Sequence, residues 1–150
     1  MTEIEVLLNR RYLSDEEGVS GKTRALLAGE QFCEIMTFDR ETVLIEEGAP
    51  QNDLYFTLQG LFHASSVRNP RATHRLLGRI QPAEFIGEVS VIDGTGTASA
   101  TVKAMQDAMV LRMPQESFQL FCEEYPTNAL EFLRAIAKQL CDRLRKANES

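Results

Sequence analysis

Residues 54–67 have the sequence LYFTLQGLFHASSV, in which two runs rich in leucine, aromatic and β-branched residues flank Gln59-Gly60. Each run has the length and composition of a β-strand, and Gly between two such runs is typical of a chain reversal. Further runs of this kind occur at residues 42–45, 75–77, 100–104 and 109–113. Short strands at intervals of roughly ten residues, without a helical pattern between them, favour an antiparallel sandwich or barrel. The sequence therefore predicts a jelly-roll-like β-domain over residues 37–113.

Helix-forming segments flank this region. Residues 4–8 and 24–28 carry helix formers separated by a turn-rich stretch, which predicts two short helices within residues 1–36. Pro114 leads into a helical pattern that Tyr125-Pro126 ends. Asn128 with Glu131 three residues later has the form of an N-cap with a reciprocal acid, so a long final helix is expected there. Residues 114–150 are thus predicted as C-terminal helices, and the whole chain as a single domain.

The predicted final helix carries an apolar stripe. Its members are Leu130, Leu133, Ile136, Ala137, Leu140, Cys141 and Leu144. Four of them, Leu133, Ile136, Leu140 and Leu144, nearly follow the alternating spacing of a coiled-coil seam. Such a stripe can pack on the β-domain of its own chain or on its copy in a second chain. We expect a homodimer through this helix, with packing inside one chain as the alternative.

Composition and charge exclude several classes of protein. The chain has 150 residues, of which 43% are hydrophobic and 25% charged, as in folded soluble domains. Its 16 basic and 22 acidic residues give a net charge of −6, which disfavours nucleic acid as the main ligand. Residues 1–53 hold 12 acids and 5 bases, so the acidity is concentrated in the first third.

The cysteines and the apolar segments predict a location. Cys33, Cys122 and Cys141 are odd in number and far apart, which indicates free thiols rather than a disulfide framework or a zinc site. No apolar run approaches the roughly 18 residues of a membrane span. The N-terminus also lacks the basic and apolar regions of a signal peptide. We therefore expect a cytoplasmic protein without a membrane partner.

Four short motifs follow one another along the chain, and together they resemble a known family. They are residues 45–48 (IEEG), 53–60 (DLYFTLQG), 85–89 (FIGEV) and 100–104 (ATVKA). In this order they resemble the cyclic-nucleotide-binding domain family, shared by the catabolite activator protein, regulatory subunits of protein kinase A and cyclic-nucleotide-gated channels. The resemblance implies a mainly β fold, an antiparallel β-roll with short N-terminal helices and a long C-terminal helix. It also implies a regulatory role, in which ligand binding repositions the last helix.

The resemblance further implies a phosphate-binding cassette at residues 85–102. Its candidate ligand-binding residues are Phe85, Ile86, Gly87, Glu88, Val89, Ala98 and Ser99. In the family, Gly87 opens a short helix whose free N–H groups point at the cyclic phosphate. Glu88 corresponds to the acid that accepts a hydrogen bond from the ribose 2′-hydroxyl. The alternative is a structural role, since an acid in the first turn of a helix is stabilising without any ligand.

One departure from the family argues against its usual ligand. The family's phosphate-binding arginine corresponds to Ala98, and no Lys or Arg occurs between Ile80 and Val102. A charge-assisted phosphate contact contributes about 1.5–3 kcal/mol. Cyclic AMP or cyclic GMP, the ligands that the resemblance implies, are therefore expected to bind weakly. No other cofactor and no metal is predicted.

Glycines in and before the cassette lead to predictions about loop conformation. Gly48 and Gly60 are expected at reversals with positive φ. The residue at position 83 is Ala where the family has Gly, so the turn there need not adopt a positive φ. The amides of Gly94 and Gly96 either form an anion-binding nest or belong to a plain surface turn.

No arrangement of residues predicts an enzyme, since no set of nucleophile, base and acid emerges and two histidines are few for a metal site. A cluster of basic residues, Arg68, Arg71, His74, Arg75 and Arg79, is either solvated charge or a contact for an acidic partner protein. We expect a stand-alone sensor domain that binds a cyclic nucleotide weakly or another small ligand. The alternatives are a fragment or relative of a DNA-binding regulator of the same superfamily, and a ligand-free protein-interaction module.

Overall fold

The computed structural model describes residues 8, 13–29, 31–67 and 75–149. The chain divides into two compact units, a helical unit of Met1–Glu34 with Glu116–Ser150 and a β-unit of Ile35–Gln115. The helix predicted at residues 4–8 lies outside the described residues except for Leu8, which is helical and buried. Three members of the basic cluster, Arg68, Arg71 and His74, lie outside them as well.

Within the described residues, eight strands form two four-stranded antiparallel sheets. They are β1 (Glu34–Phe38), β2 (Val43–Ile45), β3 (Leu54–Gln59), β4 (Phe62–Ser66), β5 (Arg75–Ile80), β6 (Phe85–Ile86), β7 (Thr101–Ala104) and β8 (Ala108–Met113). The order is β1-β8-β3-β6 in the first sheet and β2-β7-β4-β5 in the second. The predicted antiparallel β-roll is therefore confirmed.

The core of the β-unit follows from the alternation of side chains along its strands. β7 and β8 alternate between buried and partly exposed residues along most of their length. One apolar cluster contains ten buried residues, Ile45, Tyr55, Phe62, Ile80, Ile86, Ala98, Val102, Ala104, Ala108 and Val110. Because neighbouring residues on a strand point to opposite faces, one half of each such strand is free to form an outer surface.

Tight reversals need Gly at the two predicted positions. Gly48 and Gly60 have φ values of 83° and 89°, as expected. A Cβ at Gly60 would lie 2.7 Å from the carbonyl oxygen of Asp107 and 2.8 Å from the Cα of Ala108. The β3–β4 reversal therefore requires Gly both for its backbone conformation and for its packing.

The prediction that the turn at Ala83 need not adopt a positive φ is wrong. Ala83 has a φ of 72°. Its N–H donates to the Thr57 carbonyl at 2.8 Å, and the N–H of Glu84 donates to Thr57 Oγ1 at 2.9 Å. These bonds to a fully buried threonine hold the turn in the left-handed region, although Ala has a Cβ.

We expect Ala83→Gly to raise the free energy of unfolding by about 0.5–1 kcal/mol. Relief of the left-handed strain exceeds the entropy that Gly adds to the unfolded chain. Urea unfolding measures the effect. Ala100→Gly is the control, because Ala100 has no positive φ. That variant should be neutral or less stable, and equal effects of the two substitutions would contradict the explanation.

The helical unit contains a 3-10 turn (Asp15–Glu17) and the helices α1 (Gly21–Ala28), α3 (Gln115–Glu124) and α4 (Pro126–Glu149), and the short helix α2 (Glu88–Asp93) belongs to the β-unit. The prediction that Asn128 caps the last helix is wrong, since α4 begins at Pro126. Proline suits the first helical position because it lacks an N–H and its φ is already helical. Asn128 Nδ2 instead donates to Thr23 Oγ1 at 2.9 Å. The carboxylate of Glu131 accepts the Ser20 N–H at 2.6 Å rather than closing a capping box.

Burial along α4 differs from the predicted stripe. The buried residues are Ala129, Phe132, Ala135 and Ile136. Leu130 and Leu144 are 56% and 63% exposed. Ile136, predicted for a dimer seam, is fully buried within its own chain, so that assignment is corrected. The aromatic ring of Phe132 lies 6.0 Å from that of Phe121 and helps to fix this inward face.

Candidate functional site

Gly87 lies between β6 and a short helix, α2 (Glu88–Asp93), which it opens as predicted. Its φ is 82°, a value that favours Gly. A Cβ at Gly87 would lie 2.6 Å from the Asp53 carbonyl oxygen and would overlap Gln51 Nε2. The start of the cassette is therefore packed against the segment that leads into β3.

Gln51 and Asp53, which were not predicted as site residues, form a polar group that packs against Gly87. Gln51 is 7% exposed, and its Nε2 donates to the Asp53 carbonyl. The Asp53 carboxylate accepts a hydrogen bond from Arg112 Nε at 2.9 Å. Burial raises the pKa of Tyr55, and the Asp53 charge adds to the effect. The polar run 51–53 directly before a strand was the available signal, although nothing in it pointed to Arg112.

The far end of the cassette is fixed by backbone pairing. Ala98 accepts from the Gly48 N–H at 2.9 Å and donates to the Ala49 carbonyl at 3.0 Å. The Gln51 N–H donates to the Gly96 carbonyl at 2.8 Å. The Gly94 N–H donates to the Ser90 carbonyl at 3.2 Å and so closes α2. The alternative of an anion-binding nest is therefore wrong for the Gly94 amide.

The seven predicted ligand-binding residues lie in different environments. Phe85 and Ile86 are buried in β6, and the Phe85 ring packs on Phe56 at 4.9 Å. Glu88 is 4% exposed in the first turn of α2, where the helix dipole favours a carboxylate. Val89 is 47% exposed, so its side chain faces away from the core. Gly87 is half-buried, Ala98 buried and Ser99 exposed.

Ala98 has an apolar environment. It is 5% exposed and belongs to the buried cluster that also contains Ile45, Ile86 and Val102. A position that would supply a guanidinium in the family here supplies a methyl group among aliphatic side chains. The guanidinium of Arg112 pairs with the Asp53 carboxylate. The electrostatics at Ala98 therefore do not favour an anion.

The described ranges contain no group of three or more His, Cys, Asp or Glu side chains that could hold a metal ion. Among the helices that the structure describes, none is long and apolar enough to cross a membrane. Burial raises the pKa of the Cys33 thiol to about 12, so this cysteine is not a thiolate at neutral pH.

Comparison with known proteins gives a family match and several relatives. The model of the cyclic nucleotide-binding domain matches residues 18–125. The Pycsar effector protein BcPycTIR of Burkholderia cepacia is 23% identical over 146 residues, which are 97% of this chain and 43% of the relative. PaPycTIR of Pseudomonas aeruginosa is 28% identical over 145 residues, with coverage of 97% and 42%. The chain thus spans about two fifths of the length of these relatives.

Solved structures show the same fold. The N-terminal domain of a transcriptional regulator from Streptomyces coelicolor is 28% identical, with a TM-score of 0.72 and coverage of 96% of each chain. A cyclic nucleotide-binding domain from Methylobacillus flagellatus is 20% identical, with a TM-score of 0.82 and coverage of 98% of this chain and 79% of the other.

Proposed function

The chain belongs to the cyclic nucleotide-binding domain family, and we propose that it is a regulatory sensor domain rather than an enzyme. Its ligand lies against residues 85–102, and α4 carries the response. The Gly87 turn is the observation that supports this proposal best. Gly87 has a left-handed backbone and packs against Gln51 and Asp53. This packing fixes the position of the first turn of α2.

The proposed ligand differs from a tightly held cyclic nucleotide. The helix at Gly87 offers backbone N–H groups and the exposed Ser99 offers a hydroxyl, whereas Ala98 offers no charge. Glu88 adds a buried carboxylate at the same helix end. These groups suit a cyclic nucleotide that binds weakly. They also suit a ligand that carries less negative charge than a cyclic nucleotide.

We expect calorimetric titration with cyclic AMP or cyclic GMP to give dissociation constants above about 10 µM. Ser99→Ala should weaken any measured binding about fivefold, because it removes one hydroxyl donor. Thr37→Ala, on an exposed position of β1, is the matched control and should change nothing. Binding below one micromolar would contradict the weak-site proposal. Absence of amide shifts at Gly87, Glu88 and Ser99 with every nucleotide tested would favour a ligand-free module.

Residues of α4 that are exposed or partly exposed support a revised dimer seam. Leu130, Leu133, Ala137, Leu140 and Leu144 are spaced alternately three and four residues apart. This is the full heptad pattern, and it excludes the buried Ile136. A second copy of the chain would cover the two most exposed leucines. We therefore place the homodimer contact on these five residues.

Replacing Leu133 and Leu140 by Glu should convert a dimer into a monomer. Two carboxylates in an apolar seam should raise the dimer dissociation constant at least about a hundredfold. Light scattering measures the mass, and circular dichroism checks that the helices remain. Lys138→Glu changes an exposed charge on the same helix and should leave the mass unchanged. A monomer mass for the wild type at high concentration would contradict the proposal.

The Streptomyces coelicolor structure supports a second candidate, a sensor domain that works as part of a transcription regulator. That structure is an N-terminal domain of such a regulator, and the alignment covers 96% of both chains. The mass of the native protein tests this candidate. A product extending beyond residue 150 with a basic helical segment would favour it, and one ending there would favour the stand-alone domain.

A further inference from the structure

A row of basic side chains crosses the second sheet. In the strand register, Arg79 on β5 lies opposite His63 on β4, and His63 lies opposite Lys103 on β7. Residues opposite each other on neighbouring strands point to the same face, at strand spacings of about 4.8 Å. This is the outer face, because Phe62, the neighbour of His63, is fully buried. The row continues on β2 with Val43, which is 49% exposed.

A β-bulge adds two leucines to the same face. The pairing shifts between Ala64 and Ser65 of β4, which leaves Leu77 of β5 as an extra residue. In a strand without a bulge, strict alternation would place Leu76 on the inner face together with Gly78 and Ile80. The bulge turns Leu76 outward, and Leu76 and Leu77 are 50% and 55% exposed. Both leucines lie at an edge of the sheet, since β5 is the last strand in its order.

The row of charges is not neutralised by the part of the chain that the structure describes. There, Arg79, His63 and Lys103 make no ion pair and no side-chain hydrogen bond. The adjacent row holds Thr101, Ser65 and Leu76, so neither row contains an acid. Half-exposed leucines beside the charged side chains of Arg79 and Lys103, on the last described strand of a sheet, are typical of an interaction surface.

We propose that this basic-apolar face, formed by Arg79, His63, Lys103, Leu76 and Leu77, binds an extended acidic segment of a partner protein. Carboxylates of the segment pair with the cations, and its apolar side chains cover the leucines. No described strand pairs with the outer edge of β5, and the segment lies there as an added strand. Charge complementarity selects this partner. Nucleic acid suits the face less well, because leucines replace further phosphate contacts and the chain carries a net charge of −6.

The test uses two fluorescein-labelled peptides of about ten residues, one alternating Glu and Val and the other alternating Lys and Val. Fluorescence polarisation measures their binding to the wild-type chain and to variants whose thermal unfolding shows that they fold. Arg79→Glu with Lys103→Glu should weaken the acidic peptide at least about tenfold and create binding of the basic peptide. Leu76→Ser with Leu77→Ser should weaken the acidic peptide about fivefold. Lys138→Glu on α4 is the charge control and should leave binding unchanged.

Several outcomes would overturn the proposal. The acidic peptide would fail to bind the wild type, or it would bind the charge-reversed variant as tightly as the wild type. A thymidine oligonucleotide that binds more tightly than the peptide, with no effect of the leucine variant, would identify a nucleic-acid surface instead. If the charge-reversed variant does not fold, amide shifts in the wild type decide. Shifts on β4, β5 and β7 support the proposal, and shifts confined elsewhere refute it.

Discussion

Replacing Gly87 by Ala is expected to lower the free energy of unfolding by about 3 kcal/mol. About 1–2 kcal/mol comes from forcing a residue with a Cβ into the left-handed conformation. The rest comes from overpacking, because the new methyl group would meet the Asp53 carbonyl oxygen at 2.6 Å and the Gln51 amide. The amide can rotate away, whereas the Asp53 carbonyl is backbone and can move only with β3.

Gly94→Ala is a matched control for this substitution. Gly94 has a φ of 76°, close to that of Gly87, and a Cβ there would meet nothing within 4 Å. Gly94→Ala should therefore lower the free energy of unfolding only through the left-handed conformation, by about 1 kcal/mol. Urea unfolding of both variants gives the difference. Equal losses of stability would show that the contact of Gly87 with Asp53 is not tight, and the cassette would then be free to shift.

Replacing Glu131 by Ala should lower the free energy of unfolding by about 2–3 kcal/mol at neutral pH. The Glu131 carboxylate accepts the Ser20 N–H at 2.6 Å and the Thr23 hydroxyl at 3.0 Å. Ser20 is the N-cap of α1 and Thr23 is fully buried, so the variant leaves the start of α1 without its charged acceptor. Asn128, which also donates to Thr23, cannot replace a carboxylate.

The same contact predicts a pH dependence. The Ser20 N–H holds the pKa of Glu131 below its ordinary 4.5, and the Ser20 and Thr23 hydroxyls add to this. A carboxylate with a lowered folded-state pKa stabilises the fold above its unfolded pKa, and this stability is lost as the pH falls through the folded value. The stability difference between wild type and Glu131→Gln should therefore shrink as the pH is lowered from about 7 to about 3.

Glu123→Gln provides the control for pH, because Glu123 is exposed on α3. Its difference from wild type should stay small at every pH. A gap for Glu131→Gln that is as large at about pH 3 as at neutral pH would show that the charge of Glu131 is not what stabilises the start of α1.

The parts of the fold that sequence could predict were those with a repeating pattern. All six runs predicted as strands are strands, and residues 115–124 form α3. Two strands were missed. β1 crosses the predicted boundary between the helical segment and the β-domain at residues 36 and 37, and β6 has only two residues, which carry no periodicity. The start of α4 was misplaced because Asn128 and Glu131 bond to Ser20 and Thr23, about a hundred residues earlier in the chain. Local motifs do not contain such partners.

Prediction of the candidate site was limited in a different way. That Gly87 opens a short helix followed from the motif, whereas its left-handed backbone was not predicted. Its packing against Gln51 and Asp53, and the pairing of Asp53 with Arg112, depend on how β3 and β8 align. The bulge that exposes Leu76 arises from the alignment of β4 with β5, and Gly78, inside β5 beside the bulge, was the available signal for it.

The helical unit is built from the two ends of the chain, which affects how the protein can form during synthesis. α1 leaves the ribosome early, but its partner Glu131 is 111 residues beyond Ser20. At roughly 5–20 residues per second, the N-terminal helix waits on the order of ten seconds before α4 is available. The β-unit, whose strands all lie between residues 34 and 113, can assemble first. Closure of the helical unit then follows the assembly of the β-unit.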